Sequence, residues 1–170
     1  GGPAGANRAR GVCLMPTAWR LTKTKHVATA FDGMGASAAG GRWNSCGTAV
    51  VYCSATLSLA ALEVLVHLNA RTRLSFSALA VDFEDSAIEV PDLAGLPSTW
   101  RDNPAGLETR RRGDQWVAEC RSLILAVPSA IVPIELNYLI NPAHPDFKQL
   151  KVGAPQSFAF DPRLLRGTRR

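Results

Sequence analysis

Residues 40–68, GGRWNSCGTAVVYCSATLSLAALEVLVHL, are the most informative part of the 170-residue chain for predicting its fold. Within it, TAVVYCS (48–54) is a short β-branched run typical of a buried strand. SLAALEVLVHLNA (58–70) follows as a helix, with Thr56 or Ser58 as its N-cap. Apolar residues occupy nearly every face of that helix, which predicts a central, buried element.

Further strands are predicted on both sides of this block. Residues 77–85 alternate as a half-buried strand, and residues 130–140 carry Pro133, which favours an edge strand or a bulge. The order of elements is mixed rather than a regular βαβ alternation, so we expect an α+β fold with a split, mostly antiparallel sheet and a buried central helix. The remaining predicted strands are 13–21, 121–127 and 157–161.

The segments between the strands are rich in glycine, proline and charge. Residues 26–48 are predicted to form a long structured loop, and loops of that length in a compact domain are usually functional. Residues 91–113 are expected to be loop or short helix, followed by a helical turn or two at 114–120. A short helix is expected where NPAHPDFKQL (141–150) turns.

The composition indicates one globular domain. A hydrophobic fraction of 46% and a charged fraction of 19% are ordinary for a soluble protein. We expect a domain over 15–165, with 1–14 as a flexible N-terminal tail or a cloning remnant and 166–170 as a basic C-terminal tail. Apolar runs are too short for a membrane span, and the first residues lack a secretory signal, so the expected localisation is cytoplasmic.

The net charge of +5 comes from the ends of the chain. Six of its 19 basic residues lie outside 15–162, which leaves 13 basic against 14 acidic residues in the body. A nucleic-acid-binding protein more often carries its basic residues on the folded surface, so no direct nucleic-acid binding is expected. The six terminal residues are Arg8, Arg10, Arg163, Arg166, Arg169 and Arg170.

The cysteines and histidines lack the close pairing that a zinc site needs, so no metal is expected. The simpler interpretation is that the thiols are reduced and mostly buried. These residues are Cys13, Cys46, Cys53, Cys120, His26, His67 and His144.

Glu63 most needs explanation, because it lies in the middle of the apolar helix beside Leu62 and Val64. A carboxylate there is costly unless it is paired or lines a cavity. A structural account would pair it with an arginine or with His67, one turn later. A buried charge is also a common mark of a functional site, and we favour that interpretation.

GGRWNSCG (40–47) is the second candidate feature. Gly41 lets the backbone approach a ligand closely, and Arg42 offers a planar fork of donors suited to a pyrophosphate, with Trp43 packed beneath it. A tight turn with a solvated arginine explains the same residues equally well. The preceding GMGASAAGG lacks the spacing of a dinucleotide fingerprint.

The remaining candidates each have an ordinary structural explanation when taken singly. Arg20 would be a charge at a strand end, Tyr52 a core aromatic, and Ser129 a turn residue after Pro128. His144 is expected to be a hydrogen-bonding loop residue. The run 110–112 is expected to be a solvated basic face.

Together these residues resemble the RES-domain family, named for an arginine, a glutamate and a serine. The resemblance rests on motifs in the family's order over about residues 15–165. They are TAWRL, then the 40–68 block, GDQWV, AVPSAIVPIELNYLINPAHPDF and FAFDPRL.

The resemblance implies an ADP-ribosyltransferase-like fold and the role of toxin in a bacterial type II toxin–antitoxin pair. It also implies NAD⁺ as substrate, no separate cofactor, and an Xre-type antitoxin that occludes the pocket. Glu63, Arg20 and Ser129 are the implied catalytic residues. The implied NAD⁺-binding residues are Arg20, Gly41, Arg42, Tyr52 and Ser129.

Three functions follow as hypotheses. The first is cleavage of the nicotinamide–ribose bond with water or inorganic phosphate as acceptor, in which Glu63 stabilises an oxocarbenium-like ribose. The second transfers ADP-ribose to a protein from the same site. The third, a non-enzymatic or RNA-directed inhibitor acting through the basic tails, is disfavoured by the near-neutral body. A homodimer or a hetero-oligomer is compatible with the sequence.

Overall fold

The computed structural model describes residues 15–68 and 75–165. In this part of the chain, eight strands join in one sheet. The strands are β1 (Thr17–Lys23), β2 (Val51–Ser54), β3 (Phe76–Asp82), β4 (Ile88–Glu89), β5 (Ile124–Pro128), β6 (Leu136–Ile140), β7 (Lys151–Val152) and β8 (Gln156–Phe158).

The sheet has the order β4-β5-β6-β2-β1-β3, and both β7 and β8 pair with the other edge of β3. Each pairing is antiparallel except that between β4 and β5. The expected α+β class with a mostly antiparallel sheet is therefore confirmed. β2 and β1 lie side by side near the middle of the order, and β6 adjoins β2.

Three α-helices and four 3-10 helices connect the strands in the described ranges. The side chain of Thr56 caps α2, since its Oγ1 accepts a hydrogen bond from the Leu59 amide at 3.0 Å. Helix α2 then packs across β1 and β2. The α-helices are α1 (Met34–Ala39), α2 (Leu57–Leu65) and α3 (Leu107–Glu119); the 3-10 helices are Thr24–Thr29, Asp85–Ala87, Ser98–Arg101 and Pro145–Gln149.

Helix α2 is half-buried, and the expectation of a helix buried on every face is wrong. Leu59 and Ala60 are buried against the sheet, whereas Leu62 is 39% exposed. Strand β3 is more buried than expected, because nearly all of its residues are buried where a half-buried strand was predicted. Sequence periodicity fails in both cases because the pattern of one segment does not reveal how many neighbouring elements cover it.

Several boundaries also differ from the prediction. Residues 107–113 are helical, so α3 has 13 residues where a turn or two was expected. Pro133 lies in a loop before β6, and β6 is an interior strand between β5 and β2, neither an edge strand nor a bulge. The segment 26–48 contains most of one 3-10 helix and all of α1. In β1 the strand continues to Lys23, which places Arg20 at its centre.

The thiols are less buried than expected. Cys53 is buried, but Cys46 and Cys120 are exposed, and all three are free. Cys13 and the predicted tails 1–14 and 166–170 lie outside the described residues. Among the described helices, none has the length and apolar character to cross a membrane.

Candidate active site

A cavity of about 710 Å³ opens between β1, β2 and β6 of the sheet and helix α2. Its size falls in the range that holds a small organic ligand. The structure brings most predicted site residues to its wall, with the exception of Ser129, whose neighbours Ala130 and Ile131 line it instead. The predicted residues at the wall are Arg20, Gly41, Arg42, Tyr52 and Glu63.

Glu63 faces this cavity from the second turn of α2. Its Oε1 accepts hydrogen bonds from Ser129 Oγ at 2.8 Å and from Asn137 Nδ2 at 2.6 Å. Both partners are neutral, and among the described residues Glu63 forms neither the arginine pair nor the His67 contact considered from the sequence. Within 15–68 and 75–165, no hydrogen bond reaches Oε2. The carboxylate is thus fixed through one oxygen and keeps the other for a ligand.

Ser129 is a fully buried residue behind Glu63. Its Oγ donates to the carboxylate and accepts from the amides of Ile131 and Val132, each at 3.0 Å. The hydroxyl has one proton, and the two amides occupy its lone pairs. The donor role toward Glu63 is therefore forced, and Ser129 lies one contact away from the cavity.

Arg20 is a largely buried cation with an unused donor. Its Nη1 donates to the Tyr52 carbonyl oxygen at 2.8 Å, but its buried Nε has no hydrogen-bond partner among the described residues. Burial lowers the pKa of Arg20, and the neighbouring Cys53 and Asp32 oppose that effect. Burial also raises the pKa of the Cys53 thiol to about 12, so the thiol stays neutral at physiological pH. A buried guanidinium in this state favours an anionic ligand.

Arg42 connects the cavity wall to the 98–102 segment, which consists of the 3-10 helix Ser98–Arg101 and the residue after it. Its Nη1 donates to the carbonyl oxygens of Trp100 and of Asp102, the latter at 3.1 Å. Burial lowers its pKa, while the charge of Glu63 is the main opposing influence. Trp43 packs on Trp100 with ring centroids 6.4 Å apart. It therefore supports Arg42 through the 98–102 segment and does not pack directly beneath the guanidinium group.

Tyr52 and Gly41 hold the 40–44 loop against the sheet. The Tyr52 hydroxyl donates to Asn44 Oδ1 at 2.7 Å and accepts from the Trp43 amide at 3.1 Å. A Cβ at Gly41 would lie 2.5 Å from that hydroxyl, so glycine is required for this internal contact. Burial raises the pKa of Tyr52 well above its usual value, which keeps the phenol neutral.

Three residues at or near this site were not predicted. Asn137 contacts Glu63 directly, and Asn44 donates to one carbonyl oxygen of α1 and to two of its own loop. Arg110 was expected on a solvated face, but it lines the cavity and its Nε donates to the Gly41 carbonyl at 3.1 Å. A polar residue inside the apolar strand sequence ELNYLI was the available signal for Asn137, of the same kind that identified Glu63.

The other candidates lie apart from the cavity. His144 accepts a hydrogen bond from the Asp146 amide through Nδ1 at 3.1 Å, as expected for a loop residue. In the part of the chain that the structure describes, no three His, Cys, Asp or Glu side chains are grouped as a metal site would require. The cavity wall holds four guanidinium groups and a single carboxylate, those of Arg20, Arg42, Arg101, Arg110 and Glu63.

The fold and the site define a class: an α+β protein with a cationic cavity and one fixed carboxylate. The chain belongs to the RES-domain family, whose model matches residues 17–161. It is 41% identical over 148 residues to the protein called Toxin Res of Yersinia enterocolitica, covering 86% of this chain and 97% of that one. It is 40% identical over 154 residues to the Prs ADP-ribosylating toxin of Sphingobium sp., covering 87% and 96%.

A solved structure has the same fold. It is that of the M. tuberculosis MbcT–MbcA toxin–antitoxin complex, matched with a TM-score of 0.73 over 90% of this chain and 88% of that chain. The two sequences are 16% identical, so the likeness concerns the fold alone. The expected α+β fold with a mostly antiparallel sheet is thus shared with that solved structure.

Proposed function

We propose that this chain is a toxin that cleaves the nicotinamide–ribose bond of NAD⁺ in the cytoplasm, by hydrolysis or phosphorolysis, and so arrests growth. One observation carries the proposal: the same cavity contains a buried guanidinium with an unused donor and a carboxylate with a free oxygen. NAD⁺ presents both complements, a pyrophosphate anion and a ribose that becomes cationic as its glycosidic bond breaks.

The guanidinium groups suit the pyrophosphate. Arg20 Nε is a donor without an acceptor, and an anionic oxygen satisfies it and offsets its buried charge. Arg42 uses Nη1 for the loop carbonyls, which leaves the rest of its fork for a second phosphate oxygen. Binding of this kind fixes the position of the ribose relative to Glu63 and lowers the entropic part of the barrier.

Glu63 suits the sugar. As the bond to nicotinamide lengthens, positive charge moves onto the ribose, and a fixed carboxylate nearby stabilises that charge. Nicotinamide leaves as a neutral molecule from a cationic ring, so a general acid is not required. In this scheme Ser129 is a positioning residue that acts through Glu63, and Tyr52 forms a neutral wall with its hydroxyl already occupied.

Cellular NAD⁺ levels test the proposal. Expression of the wild type is expected to lower NAD⁺, whereas Arg42→Ala and Glu63→Gln leave it near the uninduced level. Glu108→Gln is a matched control, because Glu108 is an exposed residue that pairs with Arg112 on α3. Growth arrest by all variants with unchanged NAD⁺ would contradict the enzymatic function.

Transfer of ADP-ribose to a protein is the second candidate function. It is favoured by the 40% identity to a protein named as an ADP-ribosylating toxin. NAD⁺ labelled in its adenylate part separates the two functions. Label is expected in small molecules if water or phosphate accepts the ribose, and in acid-precipitable protein if a protein side chain accepts it.

We also propose an Xre-type antitoxin as partner, seated over the cavity mouth. Exposed residues at the wall support this position, among them Val66 at 59% exposure and Arg101. The M. tuberculosis protein with this fold was solved with its antitoxin. Such an antitoxin is expected to compete with NAD⁺ in a binding titration, and simultaneous binding of both would contradict this position.

A further inference from the structure

The amide of Asn137 lies between two polar side chains at the cavity. Its Nδ2 donates to Glu63 Oε1 at 2.6 Å, and its Oδ1 accepts from Ser54 Oγ at 2.7 Å. A carboxylate can only accept, so the NH₂ group must face Glu63. The carbonyl oxygen must then face Ser54, whose hydroxyl is the donor. The orientation of the amide is fixed by its two neighbours.

The sheet places these residues together. Ser54 and Asn137 are directly opposite each other in the register of β2 and β6, so their side chains emerge on the same face. Ser54 is 4% exposed and ends β2, two residues before the Thr56 cap of α2. Ser54 thus connects the end of β2, which leads into α2, with the Asn137 amide that contacts Glu63.

The hydrogen bond from Asn137 to Glu63 is needed because cations line the same cavity. Arg20, Arg42 and His67 line the same cavity, and each attracts the carboxylate when it is charged. Glu63 nevertheless forms no ion pair with them among the described residues. A closed carboxylate–guanidinium pair would occupy the groups that a substrate needs. Donors from Asn137 and Ser129 on the sheet side hold Glu63 away from that pair.

We infer that Asn137 is a positioning residue that keeps the Glu63 carboxylate separated from the cavity arginines, and that Ser54 fixes Asn137 for this task. The inference rests on the proposed function for its catalytic consequence. Both neutral donors converge on Oε1, which leaves Oε2 without a hydrogen bond among the described residues. Ser54 contacts Asn137 and not Glu63, so its effect on the reacting atoms is less direct than that of Asn137.

Steady-state kinetics test the catalytic consequence. Asn137→Asp replaces the donor with a repelling acceptor of the same shape, and kcat for NAD⁺ cleavage is expected to fall about 10–100-fold. Ser54→Ala leaves the amide free to turn, and a smaller fall of about 3–10-fold is expected. In both variants KM stays within about threefold of the wild type, because neither residue holds the pyrophosphate. A wild-type kcat, or a loss confined to KM, overturns the inference.

An exchange of the two side chains tests the contact without any activity. In Glu63→Gln/Asn137→Asp the glutamine amide can donate to the new carboxylate, which restores the hydrogen bond in reverse. The double variant is expected to melt about 2–4 °C above Asn137→Asp. A double variant no more stable than Asn137→Asp overturns the inference. If the wild type does not cleave NAD⁺, the proposed function fails while this exchange still decides the contact.

Ser122→Ala is the matched control for a lost serine contact. Ser122 Oγ accepts from Trp116 Nε1 at 2.8 Å, outside the residues that line the cavity. This variant is expected to lose stability without any change in kcat. A fall in kcat equal to that of Ser54→Ala would mean that the Ser54 effect is general destabilisation, and would overturn the role assigned to Ser54.

Discussion

The two sides of the cavity differ in how far their hydrogen bonds are satisfied. On the carboxylate side, Glu63 is held by Ser129 and Asn137, and each of these is held in turn by further groups. On the guanidinium side, Arg20 keeps a buried donor without a partner, and Arg42 uses one nitrogen for two carbonyls. The first side is preorganised before a ligand arrives, whereas the second side needs an anion to be complete.

This difference assigns the two sides to different steps. A carboxylate in place before binding contributes to the transition state and hence to kcat. Guanidinium groups with unused donors contribute to binding and hence to KM. Variants on the two sides are therefore expected to give different kinetic signatures.

The largest effect is expected on the carboxylate side. Glu63→Gln keeps the accepting oxygen for Ser129 and Asn137 but removes the charge, so kcat is expected to fall about 10²–10³-fold with little change in KM. Steady-state kinetics with NAD⁺ measure both constants, with Glu108→Gln as the surface control. A loss confined to KM would place Glu63 among the binding groups and remove the distinction between the sides.

The next effect is expected at Arg20. Arg20→Met removes a buried cation of lowered pKa together with one hydrogen bond, so NAD⁺ affinity should fall about 10-fold or more while the melting temperature does not fall. Calorimetry and thermal unfolding measure the two quantities. Arg111→Met, on an exposed position of α3, should change neither. Lower stability with unchanged affinity would show that Arg20 is structural.

A third prediction concerns the loop that holds Arg42. Gly41→Ala introduces a Cβ at 2.5 Å from the Tyr52 hydroxyl, and a destabilisation of about 1–3 kcal/mol is expected in urea unfolding. Gly35→Ala is the matched control, because nothing lies within 4 Å of its added Cβ. It is expected to be neutral or to stabilise by about 0.5–1 kcal/mol. Equal effects of both changes would argue against a loop held by Tyr52.

The smallest effect is that of salt. Because the guanidinium side binds through charge, raising the NaCl concentration from about 0.05 to about 0.5 M is expected to raise KM by about 2–5-fold. Glu63 is held by hydrogen bonds from two neutral donors rather than by charge, so kcat should stay the same. A fall in kcat with unchanged KM would reverse the assignment of the two sides.

Site residues with a signal in their own segment could be predicted from the sequence, whereas contacts between distant segments could not. Glu63 was identified locally, because a charge inside an apolar helix is visible in the sequence itself. Arg20 was found only through the family resemblance, since its position at the centre of β1 depends on where the strand ends. Asn137 stands out locally as a polar residue in ELNYLI, but its contact with Ser54, 83 residues away, depends on the register between β2 and β6, which no local pattern reports.

For helix α3, a helical pattern of residues that become buried was present in the sequence, but the high charge of the segment outweighed it. The run LETRRRG (107–113) is so charged that a loop or short helix was predicted, yet Thr109, Gly113 and Trp116 are buried at spacings of four and three residues. Gly113 has to be glycine, because a Cβ there would overlap the carbonyl oxygen of Trp43. The same packing carries Arg110 to Gly41 across 69 residues, and for that reason it was missed.

A crystal structure of the Glu63→Gln variant with NAD⁺ would show which groups hold the pyrophosphate and the ribose, because the slowed variant preserves the substrate. We expect a pyrophosphate oxygen that accepts a hydrogen bond from Arg20 Nε, and the nicotinamide ribose beside residue 63. NAD⁺ bound outside the cavity, or a complex in which Arg20 Nε still has no acceptor, would contradict it.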